Sequence, residues 1–446
     1  MTNIHMGDGI DSNFYVDLEY ADFVQTQMKT VTERGRAAVK QAIEKANRRD
    51  QLKLIDEMIV EEFGQKVLSR RYSMKEAAEM VGVSTETIRN AEKDGRLPEP
   101  EYRADTKSKQ RLGYTIDQVN YMRDVFGTRP VKPEGMNAIV IGILNQKGGS
   151  TKSTTVVHMS HYLAIKGYRV LVVDLDAQGT TSFSYGKLPN IQVEYWETVA
   201  PYLLREDDDD EDGTSYSTLD YAIQNTHWGN VDIIPCAKDY LEVDMNMAKN
   251  WSSERPVDMI MQLRKGLLQV GVNYDFIIID GAPSLSVNTM NTVSACDTVF
   301  TPVPAQMFDL ASTVEFSDLI DKLIETYKSH RIPVFENQRI VGYKDMPFMP
   351  NLPSFYHFIT RYSKSDYSKA METRIRQIFT TEVTKVLKNE IYRSDEIGKS
   401  SNQVKSVYEI NPGADTNNRG KLKSDIEMLD NAFEEMLDIV VDEHWK

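Results

Sequence analysis

The chain has 446 residues, of which 41% are apolar and 27% charged, a composition typical of soluble proteins with two or three domains. It contains no apolar run of about eighteen residues and no basic-then-apolar leader, so the sequence predicts neither a membrane span nor a signal peptide. The two cysteines, Cys236 and Cys296, lack metal-ligand or redox spacing, and we expect a reducing, cytoplasmic location.

The formal net charge of −15 does not exclude a nucleic-acid partner, because phosphate contacts need only a local basic patch. Part of the acidity lies in residues 206–212, which read EDDDDED. Such a run is typical of a solvated loop, although it is also compatible with a divalent-metal site. The charge balance therefore leaves the class of partner open.

Residues 1–68 are predicted to form an N-terminal helical extension. Residues 16–68 contain no proline and are rich in helix formers. An apolar stripe near the end of the segment predicts either a dimer seam or a face that packs on the next domain. Its members at helical spacing are Leu52, Ile55, Ile59 and Phe63.

Residues 69–130 carry the pattern of a helix-turn-helix. A short helix over 74–80 is followed by a turn at Gly82, and Ser84 is placed to cap a second helix that Gly95 can terminate. The segment after that helix is basic and suits a wing that reaches phosphates. The residues predicted to contact DNA are Thr85, Thr87, Arg89 and Asn90 in the second helix, and Arg103, Lys107, Lys109 and Arg111 in the wing.

This segment resembles the winged-helix domains of MerR-like regulators. The resemblance implies operator-specific DNA binding, whereas a purely structural helical module is the alternative. Residues 129–133 (RPVKP) follow as a linker, because two prolines in so short a stretch interrupt any helix.

Residues 131–446 alternate between apolar strands and amphipathic helices. Buried parallel strands are predicted at 138–144, 170–174, 231–234, 276–280 and 298–303, with helical patterns such as 153–166 and 257–268 between them. This alternation predicts an α/β fold with a doubly wound and mostly parallel sheet, preceded by the winged helix-turn-helix.

A glycine-rich segment, NQKGGSTKST, follows the first of these strands and opens a helix. Backbone N–H groups of such a turn converge on one point, and the helix N-terminus adds partial positive charge, so the segment predicts a phosphate site. Lys152 is placed to reach the β- and γ-phosphates, and the hydroxyl of Ser153 to bind Mg²⁺. The predicted nucleotide-binding residues are Gly148, Gly149, Ser150, Thr151, Lys152, Ser153 and Thr154.

Carboxylates end two further strands. Asp174 and Asp176 lie in LVVDLDAQ, and Asp280 closes the strand FIIID. Carboxylates at strand ends beside a phosphate can hold Mg²⁺ and a water molecule. We therefore expect Asp280 and Asp174 near the metal and Asp176 near the attacking water.

Together these segments resemble the deviant Walker A, second aspartate and Walker B motifs of the ParA/MinD family. The loop carries an extra lysine, Lys147, and the resemblance implies that it crosses a homodimer to the partner's ATP phosphates. It also implies a slow ATPase, with ATP and Mg²⁺ as cofactors, that binds nucleoid DNA non-specifically. The long N-terminal extension resembles the longer class of ParA proteins, which repress their own operon and respond to a ParB-type centromere-binding partner.

Basic residues near the C-terminus are candidates for non-specific DNA contacts, with ordinary solvated side chains as the alternative. The candidates are Arg361, Lys364, Lys369, Lys388, Arg393, Lys399 and Lys405. Arg393 is the first choice among them.

Other functions of the same fold remain open alternatives. A MinD-type membrane ATPase ends in a basic amphipathic helix, whereas this chain ends in an acidic one, whose apolar residues Ile426, Leu429, Phe433 and Leu437 predict packing instead. A redox ATPase would need cluster-ligating cysteines, and a biosynthetic ligase has no use for a helix-turn-helix. The closest competitor is a nucleotide-sensing transcriptional repressor without a partition role.

Overall fold

A computed structural model of the chain describes residues 66–103, 110–189, 192–205, 216–238, 240–250, 259–284, 286–328, 331–336, 339–345, 352–412, 415–416 and 418–446. Nearly all of the predicted N-terminal extension, the acidic run 206–212, and the wing residues Lys107 and Lys109 lie outside these ranges. The predicted division of the chain at residues 68 and 130 stays a prediction.

The helices predicted for the helix-turn-helix are present. Helix α1 spans Met74–Val81 and helix α2 spans Thr85–Lys93, with helix α3 at Ile116–Phe126. Gly82 ends α1 in the left-handed conformation at φ 78°, which glycine adopts without strain. The hydroxyl of Ser84 accepts a hydrogen bond from the Thr87 amide at 3.0 Å and caps α2, as predicted.

The two arms of the predicted wing pair in antiparallel orientation. The amide of Arg103 donates to the carbonyl of Gln110 at 2.9 Å, and the amide of Leu112 donates to Glu101 at 2.9 Å. The tip, residues 104–109, lies outside the described residues.

The main sheet has eight strands in the described part of the chain, in the order β10-β9-β6-β1-β5-β2-β4-β3. Its pairings are parallel except for β3 with β4. The strands are β1 Ile139–Ile143, β2 Val170–Asp174, β3 Gln224–Asn225, β4 Val231–Ile234, β5 Phe276–Asp280, β6 Thr298–Pro304, β9 Ser354–Thr360 and β10 Thr384–Val386; strands β7 Arg331–Glu336 and β8 Arg339–Asp345 pair separately.

Helices cover both faces of this sheet, as predicted for a doubly wound fold. Strands β1, β2, β5 and β6 are buried along their whole length, which accounts for their continuous apolar sequences. The helices are α4 Lys152–Lys166, α5 Thr180–Ser184, α6 Ala200–Leu204, α7 Tyr240–Asn250, α8 Gln262–Val270, α9 Val287–Ala295, α10 Met307–Lys328, α11 Asp366–Phe379, α12 Asp395–Asn402 and α13 Arg419–His444.

The C-terminal helix α13 packs on the core. Leu429, Phe433 and Leu437 are buried, and Ile426 is partly buried against the same cluster, as its sequence predicted. Across the described residues, no helix combines the length and apolar character that crossing a bilayer requires.

Burial favours the neutral form of several histidines. Burial lowers the pKa of His158, His227 and His357 to about 4. In the unfolded chain these side chains take up protons near pH 6.5, so between pH 6.5 and 4 the unfolded state binds more protons than the folded state. The contribution of these neutral histidines to the free energy of unfolding is therefore complete above pH 6.5 and is lost as the pH falls toward 4.

We expect the free energy of unfolding to fall by about 1.4 kcal/mol per pH unit for each such histidine across this window. Urea denaturation at pH 7, 6 and 5 measures the loss. His357 stacks on Phe379 with ring centroids 4.4 Å apart, so His357→Phe offers an uncharged replacement that should flatten the slope. An unchanged slope in that variant would contradict the assignment.

Candidate nucleotide-binding site

Three neighbouring strands end at the same level on one edge of the sheet. In the parallel register, Asp280 at the end of β5 is the Cα partner of Ile143 in β1 and of Asp174 in β2. The glycine-rich loop leaves β1 directly after Ile143. The topology thus brings the predicted loop and the predicted carboxylates together, although they are up to about 140 residues apart in the chain.

The loop enters helix α4 through left-handed backbone conformations. Gly149 has φ 74° and Thr151 has φ 76°. A threonine at positive φ is strained, and such strain is retained where the surroundings impose it, most often at ligand sites. Helix α4 then begins at Lys152 without a side-chain cap, so its first N–H groups and its positive dipole end are available to an anion.

The side chain of Lys152 folds back over the loop. Its ammonium donates to the carbonyl of Lys147 at 3.3 Å, and the residue is only 5% exposed. Burial lowers the pKa of Lys152, while the nearby carboxylates of Asp280 and Asp176 oppose that shift. A buried cation that lacks a close ion pair is well suited to receive phosphate oxygens.

Asp280 is fully buried beside this lysine. Burial raises its pKa to about 6, and hydrogen bonds from Ser153 and Thr181, together with the charge of Lys152, act in the opposite direction. The hydroxyl of Thr181 donates to Oδ2 of Asp280 at 2.7 Å. Ser153 and Asp280, the residues predicted to bind Mg²⁺, are therefore neighbours.

Asp174 is buried behind Asp280, and protein groups occupy both of its carboxylate oxygens. Oδ1 accepts from the amide of Asp176 at 3.1 Å, and Oδ2 accepts from the amide and hydroxyl of Ser182 at 2.8 and 2.6 Å. Burial and the charge of Asp280 raise its pKa to about 8. These three hydrogen bonds give Asp174 a role in holding the backbone around Ser182 and Asp176.

Asp176 lies farther out than Asp174 and is partly exposed. Its Oδ1 accepts from the amide of Gln178 at 3.0 Å, which orders the turn after β2. Asp174 holds the amide of Asp176, and the partly exposed carboxylate of Asp176 lies close enough to Lys152 to oppose the lowering of its pKa by burial.

Buried polar atoms around the loop lack protein partners, which tests whether a nucleotide fits here. The hydroxyl oxygens of Ser150 and Thr151 and the Oε1 atom of Gln146 have no hydrogen-bond partner among the residues that the structure describes. Buried groups of this kind are normally paired, and phosphate oxygens and Mg²⁺-bound water would supply the partners. The donor set fits a nucleotide with Mg²⁺.

A cavity of about 230 Å³ adjoins the phosphate loop. It is lined by Thr154 and Thr155 of α4, by Thr360 and Arg361 after β9, and by residues 391–394. Arg361 has φ 51°, and its guanidinium lies 3.8 Å from the position that a Gly149 Cβ would take. The sequence identified Arg361 only as a basic residue, since the chain order gives no sign that it lies beside the loop.

The extra lysine of the loop makes an ion pair within its own chain. The ammonium of Lys147 contacts Oδ1 of Asp309 on helix α10, and the lysine side chain stays 33% exposed. Its predicted reach to a partner subunit remains a prediction.

The residues of the helix-turn-helix that are predicted to contact DNA differ in their exposure and in their ion pairs. Arg89 and Asn90 are exposed, and Thr85 and Thr87 are partly exposed on the same helix. Arg111 instead makes a double ion pair with Glu92 at 2.8 Å, which ties the wing to α2. Phosphate binding by Arg111 would have to compete with that pair.

The candidates for DNA contact near the C-terminus also differ in their exposure. Arg393 is exposed and lies at the rim of the cavity beside the phosphate loop. Lys399 pairs with Glu396 at 2.7 Å but remains 65% exposed. Lys405 lies 3.9 Å from Asp415, and its side chain is 9% exposed, so it is the least accessible of the three.

Comparison with known proteins agrees with this geometry. Residues 138–332 match the family model described as an AAA domain. The chain is 37% identical over 347 residues to protein SopA of Escherichia coli (strain K12), covering 77% of this chain and 81% of SopA. It is 33% identical over 171 residues to the sporulation initiation inhibitor protein Soj of Bacillus subtilis, covering 38% of this chain and 60% of Soj.

A solved structure titled "Partition Protein" shares the fold, with a TM-score of 0.57 and 17% identity over 93% of this chain and 98% of that chain. The fold and the phosphate loop define a P-loop NTPase. The chain belongs to the ParA-type partition ATPases, whose cofactors are ATP and Mg²⁺. The family resemblance read from the sequence is thereby confirmed.

Proposed function

We propose that this partition ATPase binds ATP as a homodimer, associates non-specifically with nucleoid DNA in the cytoplasm, and is released when a ParB-type partner stimulates hydrolysis. The observation that carries the proposal is the meeting of the lysine-bearing phosphate loop with Asp280 and Asp176 at one sheet edge. The likeness to SopA over most of both chains supports it.

The roles of the site residues follow from their positions. The N–H groups from Gly148 to Thr154 and the ammonium of Lys152 would hold the phosphates. Ser153 and Asp280 would hold Mg²⁺, which when bound neutralises charge on the transferring phosphoryl group. Asp174 would support the site by anchoring the backbone of Asp176.

Asp176 is proposed to orient the attacking water. It is partly exposed at the mouth of the site, so a water molecule can reach it, and its backbone is fixed by Asp174. Slow turnover is expected, because efficient catalysis would require further groups that stabilise the transition state. We propose that Lys147 of a partner subunit, once released from Asp309, supplies additional positive charge to the transition state.

The cavity beside the loop is proposed to receive the nucleoside. Thr151, Thr154 and Thr155 line it, so it lies within reach of a nucleotide whose phosphates occupy the loop. Arg361 and Arg393 stand at this cavity and would be near both the nucleotide and any DNA bound to the same face.

Binding to a random-sequence duplex, measured by fluorescence anisotropy with ATP, ADP or no nucleotide, tests the proposal. We expect wild-type protein to bind only with ATP, Lys152→Ala to lose that binding, and Asp176→Ala to retain it because ATP is held but not hydrolysed. Arg393→Ala should weaken binding several-fold and lower its salt dependence. Lys423→Ala, at an exposed lysine of α13 that is not a candidate DNA contact, serves as the matched charge control.

A second candidate is a nucleotide-sensing repressor that acts only through the helix-turn-helix, with operator autorepression as its function. The exposed Arg89 and Asn90 on α2 favour specific DNA binding in either case. If ATP made no difference to the random duplex and only particular sequences were bound, the partition proposal would be abandoned for this one.

A further inference from the structure

Two of the basic residues near the C-terminus lie on one loop beside the acidic helix α13. Residues 388–394, called the 388–394 loop from here on, lie between strand β10 and helix α12. The loop carries Lys388 and Arg393, and both residues are exposed. The backbone of this loop decides where the two cations stand, so the contacts that fix it bear on DNA binding.

Glu435 of α13 accepts three hydrogen bonds from the start of the loop. Its Oε1 atom accepts from the backbone amide of Lys388 at 2.8 Å. Its Oε2 atom accepts from the backbone and side-chain amides of Asn389 at 3.0 and 2.8 Å. Hydrogen bonds to an ionised acceptor are stronger than those between neutral groups, so this one carboxylate fixes the first two residues of the loop.

Two further residues of α13 reach the end of the loop. The sulfur of Met428 accepts from the amide of Tyr392, and the carboxylate of Asp425 accepts from the hydroxyl of Ser394. Positions 425, 428 and 435 are three and seven residues apart, a spacing that places them on one face of a helix. A single face of α13 therefore holds both ends of the loop.

The sheet holds the middle of the loop. The amide of Ile391 donates to the carbonyl of Ile359 at 2.9 Å, and the amide of Arg393 donates to the carbonyl of Tyr362 at 3.0 Å. Within the described part of the chain, neither Lys388 nor Arg393 forms an ion pair through its side chain. The loop thus combines a fixed backbone with two available cations, and such preorganisation lowers the entropy lost on binding phosphates.

Charge and position predict opposite effects for Glu435. Its carboxylate lies within hydrogen-bonding distance of the Lys388 backbone, so by repulsion alone its removal should strengthen the binding of a polyanion. If the carboxylate instead holds the loop in place, its removal frees the backbone, and the loop must then be ordered at the moment of binding. The sign of the change in DNA affinity therefore separates the two roles.

We propose that Glu435 is a positioning residue for DNA binding, whose carboxylate fixes the 388–394 loop so that Lys388 and Arg393 are presented to phosphates. Asp425 and Met428 hold the far end of the same loop. The inference rests on the proposed non-specific binding of DNA by the ATP-bound protein. It gives the acidic helix α13 a supporting role for a basic surface.

Binding of the full chain to a random-sequence duplex, at ATP concentrations that saturate each variant, tests the proposal. We expect Glu435→Gln to weaken binding about fivefold and to lower the slope of log affinity against log salt by about 1, as for the loss of one phosphate contact. Glutamine accepts through only one oxygen, and its NH₂ group would face an N–H donor of the loop. Glu435→Asp keeps the carboxylate on a shorter side chain and should retain part of the affinity.

Asp438→Asn is the matched control, because Asp438 is exposed and lies one turn further along α13. This variant removes the same charge without touching the loop, so its DNA affinity should equal or slightly exceed that of the wild type. Amide hydrogen exchange at residues 388–393 should be faster in Glu435→Gln and unchanged in Asp438→Asn.

A double-mutant cycle separates positioning from a general loss of structure. In a background that carries Lys388→Ala and Arg393→Ala, measured at low salt, Glu435→Gln should have no further effect on DNA binding. If Glu435→Gln does not fold, as judged by thermal unfolding, the partial loss in Glu435→Asp is compared in the same two backgrounds.

The outcomes distinguish this inference from the function on which it rests. Affinity of Glu435→Gln equal to or above that of the wild type, or an equal loss with and without Lys388 and Arg393, would overturn the positioning role and leave DNA binding standing. Failure of the wild type to bind the random duplex with ATP would overturn the proposed DNA binding, and the role of Glu435 with it.

Discussion

Replacement of Lys152 by alanine is expected to weaken binding of ATP and ADP by about 100-fold or more, equivalent to about 3 kcal/mol. The ammonium is buried over the loop and bonds only weakly to the carbonyl of Lys147 at 3.3 Å, so phosphate oxygens gain its full charge-assisted contact. Titration with a fluorescent ATP analogue, under conditions where the protein is monomeric, measures the loss.

Lys147→Ala provides the matched control on the same loop. Its ammonium pairs with Asp309 and is one-third exposed, so in the monomer its loss should change nucleotide affinity only a few-fold. Its effect should appear in ATP-dependent dimerisation, measured by light scattering. Equal loss of affinity in both variants would show that the structure assigns the two lysines wrongly.

Replacement of Glu409 by glutamine is expected to lower the free energy of unfolding by about 3–5 kcal/mol. Glu409 is buried and accepts from Lys66 at 2.8 Å, from His227 at 2.7 Å and from the Ser406 amide at 2.6 Å. These contacts, led by the charge of Lys66, keep the pKa of Glu409 well below its usual range despite burial. A neutral amide removes the carboxylate charge that the Lys66 cation, whose side chain is 10% exposed, contacts at 2.8 Å.

Chemical denaturation compares this variant with Glu427→Gln. Glu427 pairs with Lys423 at 3.5 Å on the exposed face of α13, where both side chains are more than 60% exposed, so its loss should cost less than about 1 kcal/mol. Lys66→Met combined with Glu409→Gln should recover part of the lost stability, because both members of the buried ion pair are then uncharged. Similar costs for Glu409→Gln and Glu427→Gln would refute a stabilising role for this network.

Much of the sheet could be predicted because its signals are local. Strands β2, β4 and β5 match their predicted bounds, β1 is one residue shorter at each end, and β6 is one residue longer at its C-terminal end. Continuous apolar runs bounded by turn residues occur where a strand is buried on both faces, and these strands are. The capping residues Ser84 and Gly82 were predicted for the same reason, since caps depend on neighbours within four positions.

Contacts between distant segments could not be predicted. The ion pairs of Arg111 with Glu92 and of Lys405 with Asp415 compete with their predicted DNA contacts, and neither pair has a spacing that marks it in the sequence. The place of Arg361 beside Gly149 likewise depends on the fold, because 212 residues separate them. A single chain contains many basic residues, and only packing decides which remain available to phosphate.

By itself the sequence determined five strands of the main sheet and their order along the chain, and it predicted the phosphate loop and three aspartates at strand ends, because each is written in a short run of residues with its own backbone or charge requirement. The tertiary structure alone decided which of those groups meet. Parallel pairing of β1, β5 and β2 sets Asp280 between the loop and Asp174, and the packing of α3 on α4 buries Arg123 between two helix ends. Register and packing follow from the whole core, which no local pattern contains.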